Sequence, residues 1–213
     1  MYMKFLEFNR VLCLAPHPDD IEYSLSGTII KYKGTKFDLL CLTQGGDCDV
    51  TTSNSRLEEV KNSWEVSKSS NYSLFFTPYK FLKELNEDQW INYIETSFTN
   101  VRNYDAIILP STKDSHFEHR LVSNFGWPLS RIKDISLVEY RSPSTLSSWV
   151  PNLFVDINKE YKTKLKMLSK FKSQLHRSYF QEEVIKGFHI DFQCSKKDLK
   201  LVEQFNLKQL FLK

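Results

Sequence analysis

Two short clusters in this 213-residue chain bring together side chains able to bind a cation and activate water. The first is Pro16-His17-Pro18-Asp19-Asp20, an imidazole and two carboxylates in a loop stiffened by two prolines. The second is Asp114-Ser115-His116-Phe117-Glu118-His119, whose two histidines share one face if the segment is helical. Histidine is scarce, and three of the five in the chain lie in these clusters, which argues against chance placement. Zinc takes imidazole nitrogen and carboxylate oxygen, and its catalytic sites use three protein ligands plus a water. His17, Asp19, Asp20, His116, Glu118 and His119 are therefore all candidates. Three ligands leave a carboxylate and a histidine over. Hydrolysis needs such a pair, one as general base and one to steady an oxyanion or protonate a leaving nitrogen. A plainer explanation competes with this. Asp19 or Asp20 could cap a helix beginning near Ile21, with Glu22 in its first turn, and the histidines could be ordinary surface or core residues. Capping accounts for one aspartate; it leaves His17 and the second carboxylate unexplained.

Both clusters follow compact apolar runs that read as buried strands, Arg10 to Ala15 and Ala106 to Leu109. Further strands are expected at Phe37 to Leu42, Leu74 to Thr77, Leu137 to Tyr140 and Leu153 to Ile157. Helices are expected at Ile21–Tyr32, Ser55–Ser69, Asp88–Val101 and His116–Trp127, where Pro128 ends or kinks the last. Lys159–Leu175 reads as the clearest helix. Alternating strands and helices predict an α/β fold with a mostly parallel sheet. Ligands of such sheets bind beyond the carboxyl ends of the strands, so the two clusters belong on one rim. Gly45-Gly46 could let backbone approach a ligand, and Gly27 could allow close packing. Tyr79, Phe81, Trp90 and Tyr93 form either a sugar-stacking wall or ordinary core. In the mixed tail, His176, Arg177, Tyr179 and His189 are candidates to reach the pocket. No dinucleotide fingerprint, phosphate loop, HExxH or GxSxG is present.

A net charge of +3, from 29 basic and 26 acidic side chains, is too small an excess to indicate nucleic acid. The lysines between Lys159 and Lys172 read as a solvated helix surface. Cys13, Cys41, Cys48 and Cys194 form no CxxC pair, and the first two sit in apolar strands as small hydrophobes. No signal sequence and no run of 18 apolar residues is found, so a cytoplasmic protein without an integral membrane segment is expected. The length suits one domain over residues 1–213.

Ala15–Asp20, APHPDD, followed by Ser26-Gly27-Thr28, resembles the start of the PIG-L/LmbE-like N-deacetylases. Arg56-Leu57-Glu58-Glu59 resembles that family's Arg-x-x-Glu helix, and Asp114–Arg120, DSHFEHR, its second metal motif. Pro151–Ile157, Phe171–Gln174 and Glu203-Gln204-Phe205 resemble its later segments, so the likeness spans nearly the whole chain. It implies a Rossmann-like fold with helices on both sheet faces, and a divalent metal, usually zinc. It implies hydrolysis of an N-acetylated sugar or glycoconjugate precursor to acetate and a free amine, with nucleotide- and lipid-linked substrates both open and a role in surface-polysaccharide synthesis. Carried onto this sequence, it makes His17, Asp20 and His119 the metal ligands. Asp19 becomes the general base and His116 the oxyanion or leaving-group partner. Arg56 and Asp114 become substrate-side residues, Asp114 supporting the His116 side; Ser173 and Gln174 help hold the rim. Two departures stand out: Ser26-Gly27 where the family has Gly-Gly, and Phe117-Glu118 where many members have Pro-Asp or Gln-Asp. Glu118 is read as facing outward or as backing the ligands. The rival readings are hydrolysis of another amide or ester, and a non-catalytic metal- or sugar-binding protein; oligomeric state is left open.

Overall fold

The computed structural model describes residues 2–45, 53–98, 101–131, 134–191 and 200–211. Gly46, Cys48 and Cys194 lie outside them. Strand β1 (Arg10–Ala15) leads into helix α1 (Asp20–Lys31), then β2 (Lys36–Cys41), α2 (Ser53–Ser67) and β3 (Tyr72–Phe76). A short helix α3 (Glu87–Asn92) runs on into a wider π turn at Tyr93–Phe98, and β4 (Ala106–Pro110) follows. Next come α4 (Phe117–Asn124), α5 (Gly126–Ser130), β5 (Ser136–Tyr140), β6 (Leu153–Asp156) and α6 (Tyr161–Leu168). The chain closes with α7 (Glu182–His189), a two-residue β7 (Ile190–Asp191) and the long β8 (Lys200–Gln209). Among the described residues no helix is long and apolar enough to cross a membrane.

The sheet runs in the order β3-β2-β1-β4-β5-β8-β6, with β7 paired to β8. The first five strands of that order are parallel, and β8 lies antiparallel between β5 and β6. The fold is thus α/β and Rossmann-like, as expected. The parallel strands can be continuous apolar runs because alternate residues are buried on opposite faces. Val11, Cys13 and Ala15 of β1 join one core with Ile21 and Leu25 of α1, Trp64 of α2 and Met167 of α6. Leu12 and Leu14 join the other, with Trp90 of α3, Val122 of α4 and Leu129 of α5.

Chain order reverses where β1 meets β4, so the crevice beyond their carboxyl ends is the natural place for a ligand. The loop after β1 carries His17 to Asp20, and the loop after β4 carries Asp114 to His119. Strand β8 was not expected from the mixed tail, and it anchors α1 beneath this crevice. Its Glu203 accepts from the backbone N–H groups of Gly27 (2.8 Å) and Thr28 (2.6 Å), and Lys164 Nζ of α6 lies 2.5 Å away. Both charged side chains are wholly buried. Gly27 permits the approach, since a Cβ there would stand 2.8 Å from Ile157 Cγ2 and 3.0 Å from Glu203 Oε1. Helix α6 is shorter than the expected Lys159–Leu175, because Phe171 leaves helical geometry (φ −80°, ψ 63°) with its ring buried in the core.

Removing one member of a buried ion pair strands the other charge, at a cost of about 3–5 kcal/mol. Lys164→Ala is expected to lose that much stability in urea unfolding. A loss below about 1 kcal/mol would show that the backbone amides alone satisfy Glu203.

Candidate metal centre

Asp19 and Asp20 are adjacent, yet the backbone sends their carboxylates to different partners. Asp19 occupies a left-handed conformation (φ 112°, ψ −23°) at the entry to α1, and its side chain makes no capping hydrogen bond. A non-glycine residue held there costs about 1–3 kcal/mol, and such strain persists where the surroundings enforce it. The capping explanation therefore fails for Asp19. Asp20 opens α1, and its Oδ2 accepts from the His17 backbone N–H at 2.8 Å. Asp20 Oδ2 lies 3.4 Å from His17 Nδ1, and its Oδ1 lies 3.3 Å from His119 Nε2.

Those separations bear on whether an ion fits. Two donors 2.0–2.1 Å from one ion at a tetrahedral angle stand about 3.3–3.4 Å apart. His17, Asp20 and His119 offer donor atoms that all lie within 4.8 Å of one another, two imidazoles and a carboxylate suited to a divalent cation. His17, His116 and Glu118 also cluster within that distance. There, however, His17 Nε2 and Glu118 Oε2 are only 2.5 Å apart, a hydrogen bond rather than two ligands of one ion. Glu118 is buried and turned inward, the second of the two placements the sequence allowed.

The surrounding groups orient the cluster. Asp114 was expected among the substrate-side residues. It is instead fully buried behind His119, with Oδ2 3.1 Å from His119 Nδ1 and receiving the Ser142 hydroxyl at 2.5 Å. Its Oδ1 accepts from the His116 backbone N–H at 2.8 Å, so it also holds the His116 loop. An imidazole that donates Nδ1–H to a carboxylate presents Nε2 to a metal. His116 caps α4, its Nδ1 accepting from the Glu118 backbone N–H at 3.3 Å, so the proton of the neutral ring sits on Nε2. Arg56, the other expected substrate contact, is buried and engaged. It donates to the carbonyls of Gly45 (3.0 Å) and Pro18 (2.7 Å) and lies 3.3 Å from Asp19 Oδ2. Gly45 has φ 66°, and a side chain there would collide with the guanidinium. Glu59, one turn on, accepts from the backbone and hydroxyl of Ser173 at 2.9 and 2.6 Å, fixing the turn that carries Gln174.

The two aspartates are split electrostatically. Burial pushes the Asp19 carboxyl up to about 6, reinforced by Asp20 and opposed by Arg56 and His17. Burial also pushes Asp20 upward, but His119 and His17 outweigh it and hold Asp20 well below the ordinary carboxylate range. Burial, with the neighbouring His17 and His119, lowers His116.

These groups open on one cavity of about 480 Å³. His17, Asp19, Asp20, Arg56, His116 and His119 line it; Asp114 does not. Arg177, Tyr179 and Gln174 reach it as well, and Tyr23, Ser144 and Ser178 line it without having been singled out in the sequence. His176 is exposed elsewhere. His189 is fully buried with Nδ1 3.0 Å from the Val202 carbonyl oxygen. The aromatic wall does not reach the cavity: Trp90 is core, half-buried Tyr79 and Tyr93 pack edge to face with it at 5.0 to 6.0 Å, and Phe81 is half-buried outside the cavity.

The sequence profile of PIG-L, GlcNAc-PI de-N-acetylase, matches residues 12–130, which include both clusters and more than half of the chain. The chain belongs to the PIG-L family. The chain is also 29% identical to the diacetylchitobiose deacetylase of Thermococcus kodakarensis, over 84% of this chain and 73% of that protein. The fold is shared with a conserved protein of Thermus thermophilus (TM-score 0.74, 19% identity, 95% of this chain and 96% of that one). It is shared too with the 4-carboxy-2-hydroxymuconate hydratase of Pseudomonas putida (TM-score 0.70, 16% identity, 96% and 98%). PIG-L family membership and the donor cluster together make the protein a metal-dependent hydrolase of the deacetylase class.

A divalent ion at about one hundred times its Kd should stabilise the wild type by about 2.7 kcal/mol. Asp20→Ala should gain none of this in thermal unfolding; an equal gain in both proteins would place the ion elsewhere. A second test concerns His189, whose pKa burial and the Lys164 charge hold well below the ordinary value. The unfolded chain takes up that proton below about pH 6.5 while the folded chain does not, so folding stability falls as pH drops. Between pH 7 and 5, His189→Gln should lose about 2 kcal/mol less than the wild type in urea unfolding; equal losses would contradict a neutral His189.

Proposed function

We propose that this PIG-L member is a zinc-dependent N-deacetylase that hydrolyses the acetamido group of an N-acetylated sugar, releasing acetate and a free amine. The single observation that carries the reading is the position of Asp19. It is a buried carboxylate on the cavity, freed from helix capping and held by Arg56, beside a three-residue donor cluster that does not need it. A non-catalytic binding protein would have no use for such a base.

His17, Asp20 and His119 would hold the ion, which when bound supplies Lewis acidity toward a carbonyl oxygen and acidifies water. Asp19 takes a proton from the attacking water as its oxygen adds to the acetyl carbon. Its raised pKa suits it to accept and then return that proton near neutrality. His116 offers Nε2–H to the developing oxyanion. As the carbon–nitrogen bond breaks, the proton from Asp19 passes to the nitrogen, which leaves as the amine, and the acetic acid left behind gives up its hydroxyl proton to solvent and departs as acetate. Arg56 braces the Gly45 and Pro18 carbonyls and keeps the Asp19 carboxylate directed at the cavity.

The likeness to a diacetylchitobiose deacetylase supports a short N-acetylated sugar as the first substrate to try. Arg177, Tyr179 and Ser178 on the rim supply polar groups for sugar hydroxyls or for a phosphate carrier. The free buried thiols of Cys13 and Cys41 support a cytoplasmic setting.

The test is acetate and amine release from N,N′-diacetylchitobiose, N-acetylated monosaccharides, glycosides and nucleotide sugars, with zinc-loaded protein. Asp19→Asn should keep its zinc and lose about 10²–10⁴-fold in kcat. Asp19→Asn that loses the metal instead would make Asp19 a ligand. Ester or non-acetyl amide turnover exceeding every acetamido sugar would move the substrate class.

A further inference from the structure

The deacetylase reading requires His17 to present one particular ring nitrogen. A neutral imidazole has one proton, and the nitrogen without it is the one able to bind a cation. His17 Nδ1 faces the donor cluster, 3.4 Å from Asp20 Oδ2. On the opposite side of the ring, Nε2 lies 2.5 Å from Glu118 Oε2. That distance fits a hydrogen bond to an ionised acceptor and is too short for two ligands of a common ion.

We infer that Glu118 is a positioning residue for the metal centre: its carboxylate takes the Nε2–H of His17, fixing the tautomer and ring orientation that leave Nδ1 open beside Asp20 and His119. The inference rests on the metal-dependent reading above. Three observations on Glu118 support it. The residue is buried at 6% exposure, so its charge is committed to a protein partner. It does not line the cavity, so it is no substrate contact. It sits in the first turn of α4, where the helix dipole favours a negative charge. Its two halves act on different histidines. The backbone N–H sets the tautomer of His116, and the side chain sets that of His17. With Asp114 on Nδ1 of His119, all three cavity histidines have their tautomers fixed by the DSHFEHR segment.

The test has two readouts that do not depend on turnover. Zinc affinity is measured by chelator competition for the wild type, Glu118→Gln and Glu118→Ala, and the His17 tautomer by ¹⁵N-histidine NMR of the zinc-loaded wild type. Loss of such a partner typically weakens metal binding about 10–100-fold, and that is expected of Glu118→Ala. Glu118→Gln, which keeps an acceptor oxygen, should recover most of it. The NMR spectrum should show the His17 proton on Nε2. Undiminished zinc affinity in Glu118→Ala, or a His17 proton on Nδ1, would overturn the inference. The tautomer measurement needs no variant, so a His17 proton on Nδ1 overturns the inference even if Glu118→Ala does not fold. A wild type that binds no zinc would overturn the metal reading itself, and the role of Glu118 with it.

Discussion

Two neighbouring carboxylates in one site repel each other and ordinarily titrate as a pair; giving them different tasks requires their environments to differ. Here the backbone at Asp19 creates that difference. Its left-handed conformation turns one carboxylate toward Arg56 and the cavity, while Asp20, at the first position of α1, meets two imidazoles. The strained residue is held from several sides. Arg56 ties the Pro18 carbonyl to that of Gly45, and Glu203 of β8 with Lys164 pins α1 from below. The loop, the helix and the far strand therefore serve one requirement, that Asp19 and Asp20 diverge.

The histidines obey a matching constraint. Each imidazole has two nitrogens and can act at only one of them, so every useful histidine needs a partner at the other. Asp114 serves His119, the Glu118 carboxylate faces His17, and the Glu118 amide serves His116. The parallel sheet makes this possible by delivering the ends of β1, β4 and β5 to one edge. Ser142, just after β5, completes the shell around Asp114. A site assembled from three strand ends and backed by buried hydrogen bonds arrives with its donors already oriented, which lowers the reorganisation left for binding or reaction.

Much of this was legible in the sequence. β1, β2 and β4 are short apolar runs between polar loops, and a strand buried on both faces leaves that signature. His17, Asp19, Asp20, His116, Glu118 and His119 are all legible as metal-type residues, because scarce histidines and carboxylates follow two such strands, and the family resemblance is what selects His17, Asp20 and His119 among them. The direction of each side chain was not legible, since it depends on pairing between distant loops. Asp114 looks like a cavity residue by its position and is fully buried. Arg56 looks like a substrate anchor, yet its donors go to backbone carbonyls that only the folded loops place within reach. Strand β8 is not legible in the sequence because Glu203 lies mid-strand, and its charge is tolerable there only through Lys164 and the α1 amides. Helix α6 ends at Leu168, short of the expected Leu175, because burial of Phe171 decides where it stops.

We propose that two imidazoles and the Asp20 carboxylate hold the ion, leaving Asp19 and His116 free to act. X-ray absorption at the zinc edge, on the wild type and on His116→Ala and Asp19→Asn, tests it most directly. Two imidazole ligands and directly bound oxygen are expected in the wild type, with the same spectrum in both variants. Three imidazoles in the wild type, or a shell that changes when Asp19 or His116 is replaced, would contradict it.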